Sequence, residues 1–176
     1  MKQNLLVLSY DYSLSKRISK KLAEIFSMRE LDQFELFEFD HIPRNFDEVL
    51  EIEGDAYIMK KFRSIIKMEL DFDNVAFTAN INCADNCEEL FYKMKLSNFV
   101  ILLYKPIEIE LSELDNVSYK TDKQKEFFKT DKQTLQNREE KIRQGCADIS
   151  INIEDLSDDK IVELIIDLIN AYYSVS

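Results

Sequence analysis

Two stretches constrain the fold of this chain more than anything else in it: Asn4 to Ser9, Asn-Leu-Leu-Val-Leu-Ser, and Phe99 to Tyr104, Phe-Val-Ile-Leu-Leu-Tyr. Neither has a polar face. A strand that covers a core on one side alternates apolar with polar residues, whereas a continuous apolar run is what a strand buried on both faces needs. Such strands sit at the centre of a parallel sheet with helices on either side, and these two are expected to be neighbours there.

The rest of the chain supplies the helices and further strands. Ser13 to Met28 carries Ile18, Leu22, Ile25 and Phe26 at helical spacing with lysines opposite, which predicts an amphipathic helix. Phe34 to Phe39 alternates Phe34 and Leu36 with Glu35 and reads as the second strand, ending at Asp40 before Pro43 and Asn45. A short helix is expected over Phe46 to Glu53, then Gly54 as punctuation, then a helix over Asp55 to Leu70 with Ile58, Phe62, Ile65 and Ile66 inward. Asn74 to Ala79 is the third strand and Asp85 to Lys95 the next helix. Pro106 opens a brief helix, since its fixed φ suits a first turn. From Asp115 to Lys132 the pattern fails: the segment is charged, lysine-rich and poor in aliphatics, and predicts a mobile excursion leading into a helix that stops near Gly145. Ala147 to Asn152 is the last strand, and Ser157 to Tyr173 the last helix, with Ile161, Leu164, Ile165, Leu168 and Ile169 on one face. No two strands are close enough for a hairpin, and there is neither an internal repeat nor a linker rich in proline, glycine or serine. One α/β domain over residues 1–176 follows, a parallel sheet covered on both sides.

Charge and composition exclude several functions. With 34 acidic against 23 basic residues the formal charge is −11, which disfavours a nucleic-acid backbone. The apolar runs are broken by charge well short of the roughly 18 to 20 residues a membrane helix needs, and Met1 to Leu8 lacks a signal-peptide core, so a cytoplasmic protein without membrane contact is expected. Cys83 and Cys87 lie four apart and Cys146 far off; with His41 as the only histidine, reduced thiols are expected and no metal site. His41 itself reads as an exposed loop histidine without a catalytic role. Phe127, Phe128, Tyr172 and Tyr173 are expected to pack against the domain. The chain has two glycines, Gly54 and Gly145, neither near the first strand and helix. A loop that wraps nucleotide phosphates in its backbone N–H groups needs glycines there, so no triphosphate is expected to be held that way.

The segment Val7-Leu8-Ser9-Tyr10-Asp11-Tyr12-Ser13-Leu14-Ser15-Lys16-Arg17, running on to Lys21-Leu22-Ala23, resembles the opening of the shikimate kinase family: a hydrophobic strand, GxxGxGKST, and a helix ending in K-L-A. The match is one of framework. Ser9, Tyr12 and Leu14 stand where the family has glycines, Ser15 where it has the loop lysine, and Lys16 and Arg17 where it has two hydroxyl residues. A shift by one residue would offer Lys16 as the lysine, still without glycines; otherwise Ser13 and Ser15 cap the helix and Lys16 and Arg17 are solvated. Glu38-Phe39-Asp40 resembles the family's DTD, whose first carboxylate helps hold magnesium and whose second contacts shikimate. Phe46 to Asp55 resembles its I-x-E-I-F-x-x-x-G-E, after which Met59 replaces a substrate-gripping arginine that a thioether cannot imitate. Ala79-Asn80-Ile81 replaces a GGG substrate loop. No arginine occurs between Arg63 and Arg138, so the lid-like segment at about 115–132 offers only Lys120, Lys123 and Lys125 to moving phosphate charge. Gln136 to Ile142 and Ala147-Asp148 resemble the family's R-x-P-x-Y helix and final strand, with Arg138 matching a second substrate arginine.

The resemblance implies a three-layer αβα fold with five parallel strands in the order 2-3-1-4-5. It implies a remnant polar cleft of Glu38, Asp40 and Arg138 at the carboxyl ends of the strands, where open parallel sheets bind ligands, the plainer alternative being that Asp40 pairs with Arg138 or caps a turn. The expected function is that of a catalytically inactive relative, a pseudokinase with no cofactor, which binds a partner protein or a small anionic metabolite. The alternative is an active small-molecule kinase with a rebuilt site using ATP and magnesium.

Overall fold

The computed structural model describes residues 2–84 and 88–174. β1 (Asn4–Ser9) is buried at every position and pairs in parallel with β3 (Val75–Asn80) on one side and β4 (Asn98–Tyr104) on the other. β2 (Arg29–Asp32) and β5 (Ile149–Asn152) close the edges, also parallel, giving the order β2-β3-β1-β4-β5. The two apolar runs are thus adjacent at the centre. The short edge strands carry the partly exposed positions, which is how an edge avoids templating another sheet.

Because successive side chains of a strand point to opposite faces, β1 feeds two cores. Leu5 and Val7, with Phe99, Ile101 and Leu103, meet α1 (Tyr12–Phe26) and α9 (Asp158–Ser174) on one face. Leu6 and Leu8, with Phe77, Val100 and Leu102, meet the other layer. That layer comprises α2 (Gln33–His41), α3 (Phe46–Glu53), α4 (Asp55–Glu69), α5 (Glu88–Ser97) and, beyond α6 (Ile107–Asp115) and α7 (Asp122–Phe128), α8 (Lys132–Gly145). Ile58, Phe62, Ile65 and Ile66 all face this core. In α9, Ile161, Val162, Ile165 and Ile169 are buried while Leu168 is 40% exposed, so the apolar face is turned slightly from the expected one.

The second strand lies elsewhere than its alternation predicts. Residues 34–39 fall inside α2, and the strand is the preceding Arg29–Asp32. Asp32 ends it and starts the helix by accepting a hydrogen bond from Glu35 N at 2.9 Å. Phe34, Phe37 and His41 then recur at i, i+3 and i+7 and turn inward, a helical face that overrides the Phe34–Leu36 alternation. His41 is accordingly buried, not exposed: Nδ1 donates to Phe37 O at 2.6 Å, Nε2 meets the Tyr57 hydroxyl at 2.9 Å, and the ring stacks on Phe37.

The 115–132 excursion has structure of its own. Thr121 caps α7, and Phe127 and Phe128 pack on Phe46, with Phe128 reaching Phe34 and Phe127 reaching Phe62. Lys120 pairs with Asp47, and Lys123 donates to Glu51 O at 2.9 Å, so both lysines turn toward α3. Tyr172 and Tyr173 pack on Phe99. Asp85 and Cys87, expected at the start of α5, lie outside the described residues; Cys146 is a buried free thiol whose pKa burial pushes up to about 12. Among the described residues no helix is long and apolar enough to cross a membrane, and no group of three His, Cys, Asp or Glu is placed to hold a metal ion.

Candidate functional site

The carboxyl ends of β1 and β3 open into a cleft of about 480 Å³, the position at which open parallel sheets bind ligands. Ser9 and Asn80 form its base, Tyr10, Asp11, Tyr12 and Ser13 one wall, α6 and Lys105 another, and residues 117–128 its cover.

The connection from β1 to α1 is two residues long, Tyr10 and Asp11. Asp11, rather than Ser13 or Ser15, caps the helix: its Oδ1 accepts from Leu14 N at 2.9 Å and its carbonyl from Ser15 N at 3.0 Å. Tyr12 through Arg17 are therefore all helical. Ser9 is buried at the strand end, and Leu14 and Ser15 are buried against the sheet, with Ser15 Oγ donating to Tyr12 O at 2.9 Å. Lys16 pairs with Glu35 at 2.6 Å and Asp32 at 3.2 Å, and Arg17 grips Asp158 through Nε and Nη2 at 2.8 and 3.3 Å. Neither cation is simply solvated.

Tyr12 points its hydroxyl into the domain, donating to Asp32 Oδ1 at 2.8 Å; burial pushes its ionisation well above the usual range, and the Asp32 charge adds to the effect. Asp32, 2% exposed, is the carboxylate that stands at the end of the second strand. Glu38 and Asp40, placed there by sequence resemblance, lie in α2 instead: Glu38 accepts from Phe46 N at 3.1 Å, and Asp40 faces Lys61 at 3.9 Å on the surface. Arg138 sits on α8 beside Tyr10, whose hydroxyl donates to Leu135 O at 3.3 Å. None of Glu38, Asp40 and Arg138 lines the cleft. The shift follows from the strand being four residues long and ending at Asp32.

Met59 packs half-buried against the core. Ala79 and Ile81 are buried, and Asn80 is fixed at both ends: its N–H donates to Gln33 Oε1 at 2.8 Å and its side-chain oxygen accepts from Asn82 N at 2.9 Å. On the α6 side, Lys105 Nζ holds both oxygens of Glu113, at 2.6 and 2.7 Å. Glu110, 4% exposed, accepts from Lys105 N at 2.8 Å. Burial pushes its carboxyl up to about 8, and the neighbouring Glu139 charge adds to the effect. Tyr119 stacks on Phe128 to roof the cleft.

Tyr10, Asp11, Asp32, Phe34, Glu110 and Tyr119 are not singled out as site residues by the sequence alone. Asp11 had a signal, a cap-forming residue just ahead of an apolar periodicity. Glu110 had none, because its burial depends on how α6 meets α8.

No protein-family model and no curated protein matches the sequence. Solved structures do match. The shikimate kinase of Acinetobacter baumannii, in complex with shikimate, superposes with a TM-score of 0.77 at 15% identity, over 97% of this chain and 94% of that one. Shikimate kinase from Aquifex aeolicus gives 0.74 at 18% identity over 97% and 98%, and that from Bacteroides thetaiotaomicron 0.71 at 13% over 96% and 98%. With strand order, layers and nearly full-length superposition in agreement, the chain has a shikimate kinase-like fold.

Proposed function

We propose that this protein is a shikimate kinase-like pseudokinase: it does not transfer phosphate, and it acts by binding a small molecule or a protein partner at or over the cleft. The observation that carries this reading is the two-residue connection between β1 and α1, closed by Asp11. A triphosphate cradle is a run of backbone N–H groups left open at a helix start. Here the Leu14 N–H is taken by the Asp11 side chain and the Ser15 N–H by the Asp11 carbonyl, and the cap is itself an anion. Arg17 is held by Asp158 and Lys16 by Asp32 and Glu35, so neither turns toward a phosphate. ATP and magnesium do not fit these residues. The net charge of −11 keeps nucleic acid outside the reading, and no feature of the cleft suits a membrane surface.

Titration calorimetry with Mg-ATP at millimolar concentration, together with a coupled assay for shikimate phosphorylation, tests the reading. No saturable magnesium-dependent heat and no turnover are expected. Either signal would overturn it and restore an active kinase with a rebuilt site.

A further inference from the structure

The lining of the cleft specifies more than a binding role. Five aromatic side chains face it: Tyr10, Tyr12, Phe34, Tyr119 and Phe128. Its charged groups are Asp11, Glu110 and Glu113 against one basic residue, Lys105, which is already occupied by both oxygens of Glu113. Glu110 is 4% exposed, and its Oε2 has no hydrogen-bond partner. A buried carboxylate oxygen without a fixed donor, at the edge of an aromatic enclosure, is a site for an ammonium group: the charge meets the carboxylate and the ring faces attract the cation. An anion would face Asp11 and Glu113, with Lys105 already paired and the Leu14 and Ser15 N–H groups at the start of α1 already taken.

Resting on the binding role proposed above, we infer that the cleft takes a small organic cation, an amine carried on a planar or apolar body, with Glu110 as its charge partner and the Tyr119–Phe128 stack as its cover. This reverses the small anion that the family resemblance suggests. The cavity, about 480 Å³, is within the ordinary range for a small-molecule site. Burial and the charge of neighbouring Glu139 favour a protonated Glu110, so when the ammonium group takes Glu110 Oε2 that proton leaves to solvent. The groups that face this pair are the Lys105 backbone N–H, Arg143 at 3.7 Å from Glu139, and, across Tyr10, Arg138.

Three probes of one shape and different charge test the inference: tyramine, the neutral alcohol tyrosol and the anion 4-hydroxyphenylacetate, titrated by calorimetry and by NMR of the folded protein. Tyramine is expected to saturate at a Kd at least about tenfold below the other two, a difference of about 1.4 kcal/mol. Its apparent heat should depend on the ionisation enthalpy of the buffer, reporting the released proton. Glu110→Gln keeps the acceptor for Lys105 N and should raise the tyramine Kd about tenfold while removing the buffer dependence. Tighter binding of the alcohol or the acid overturns the ligand class and leaves the cleft as a binding site. No saturation by any of the three overturns it too. The non-catalytic reading stands in both cases, because it falls only if Mg-ATP binds or shikimate is phosphorylated.

Discussion

Asp11 illustrates how one side chain can change what a helix start offers. Its carboxylate satisfies the Leu14 N–H and places a negative charge where the helix dipole would otherwise attract an anion. Asp11→Ala is expected to lower stability by about 1 kcal/mol in urea unfolding, whereas Asp11→Asn keeps the hydrogen bond and should cost only a few tenths. Glu69 carries a different burden. It is fully buried with both carboxylate oxygens unpaired, and burial pushes its pKa up to about 8. The folded state then holds a proton that the unfolded chain, titrating near the ordinary 4.5, releases. That contribution to stability is complete below pH 4.5 and is lost as pH rises toward 8. Glu69→Gln, neutral at every pH, should flatten this slope, its stability relative to the parent rising by roughly 4 kcal/mol between pH 4.5 and pH 8, measured by denaturation across the range. An unchanged slope would place the titrating group elsewhere.

At the scale of elements, α2 and α7 are where local pattern and tertiary packing disagree. In α2 the i, i+3, i+7 set of Phe34, Phe37 and His41 outweighs a three-residue alternation, because a helix capped by Asp32 buries all three against α3 and α4. In α7 the charged stretch, expected to be mobile, is helical, and Phe127 and Phe128 pack as expected and fasten the cover of the cleft to Phe46. Replacing both Phe127 and Phe128 by Ala should raise hydrogen exchange across residues 117–131 by at least about tenfold. The exchange of β1 and β4 should change far less, since opening a surface element draws on local rather than global stability. Uniform acceleration across the sheet would mean that α7 belongs to the global folding unit.

For the whole molecule, the question is whether a kinase lies one loop away. Rebuilding the family loop by Ser9→Gly, Tyr12→Gly, Leu14→Gly, Ser15→Lys, Lys16→Ser and Arg17→Thr removes buried Leu14, the Tyr12–Asp32 hydrogen bond and the Arg17–Asp158 pair together. Losing one buried Leu costs about 2 to 5 kcal/mol and each helix glycine about 1 more, a large fraction of the roughly 5 to 15 kcal/mol that stabilises a domain. Thermal unfolding of the variant should begin far below that of the parent. No shikimate phosphorylation within about a hundredfold of an ordinary shikimate kinase is expected from whatever remains folded, because Met59, Asn80 and an arginine-free cover leave the acceptor unheld. Activity above that level would show that only the loop separates this chain from the enzymes it resembles in fold.

Patterns that are local and repeat along the chain were readable from sequence. The two apolar runs determined the central strands and their adjacency, the 3.6-residue periodicities of α1, α4 and α9 determined the layers, and the absence of a hairpin determined a parallel sheet. The glycine count determined that residues 9–17 lack the composition of a phosphate loop. What the cleft presents was decided only in three dimensions. Asp32 rather than Glu38 or Asp40 ends the second strand because four residues, one of them aliphatic, carry too little alternation to be seen. Glu110 comes near Glu139 only because α6 and α8 pack side by side, and the burial that raises the pKa of both acids arises from that packing alone.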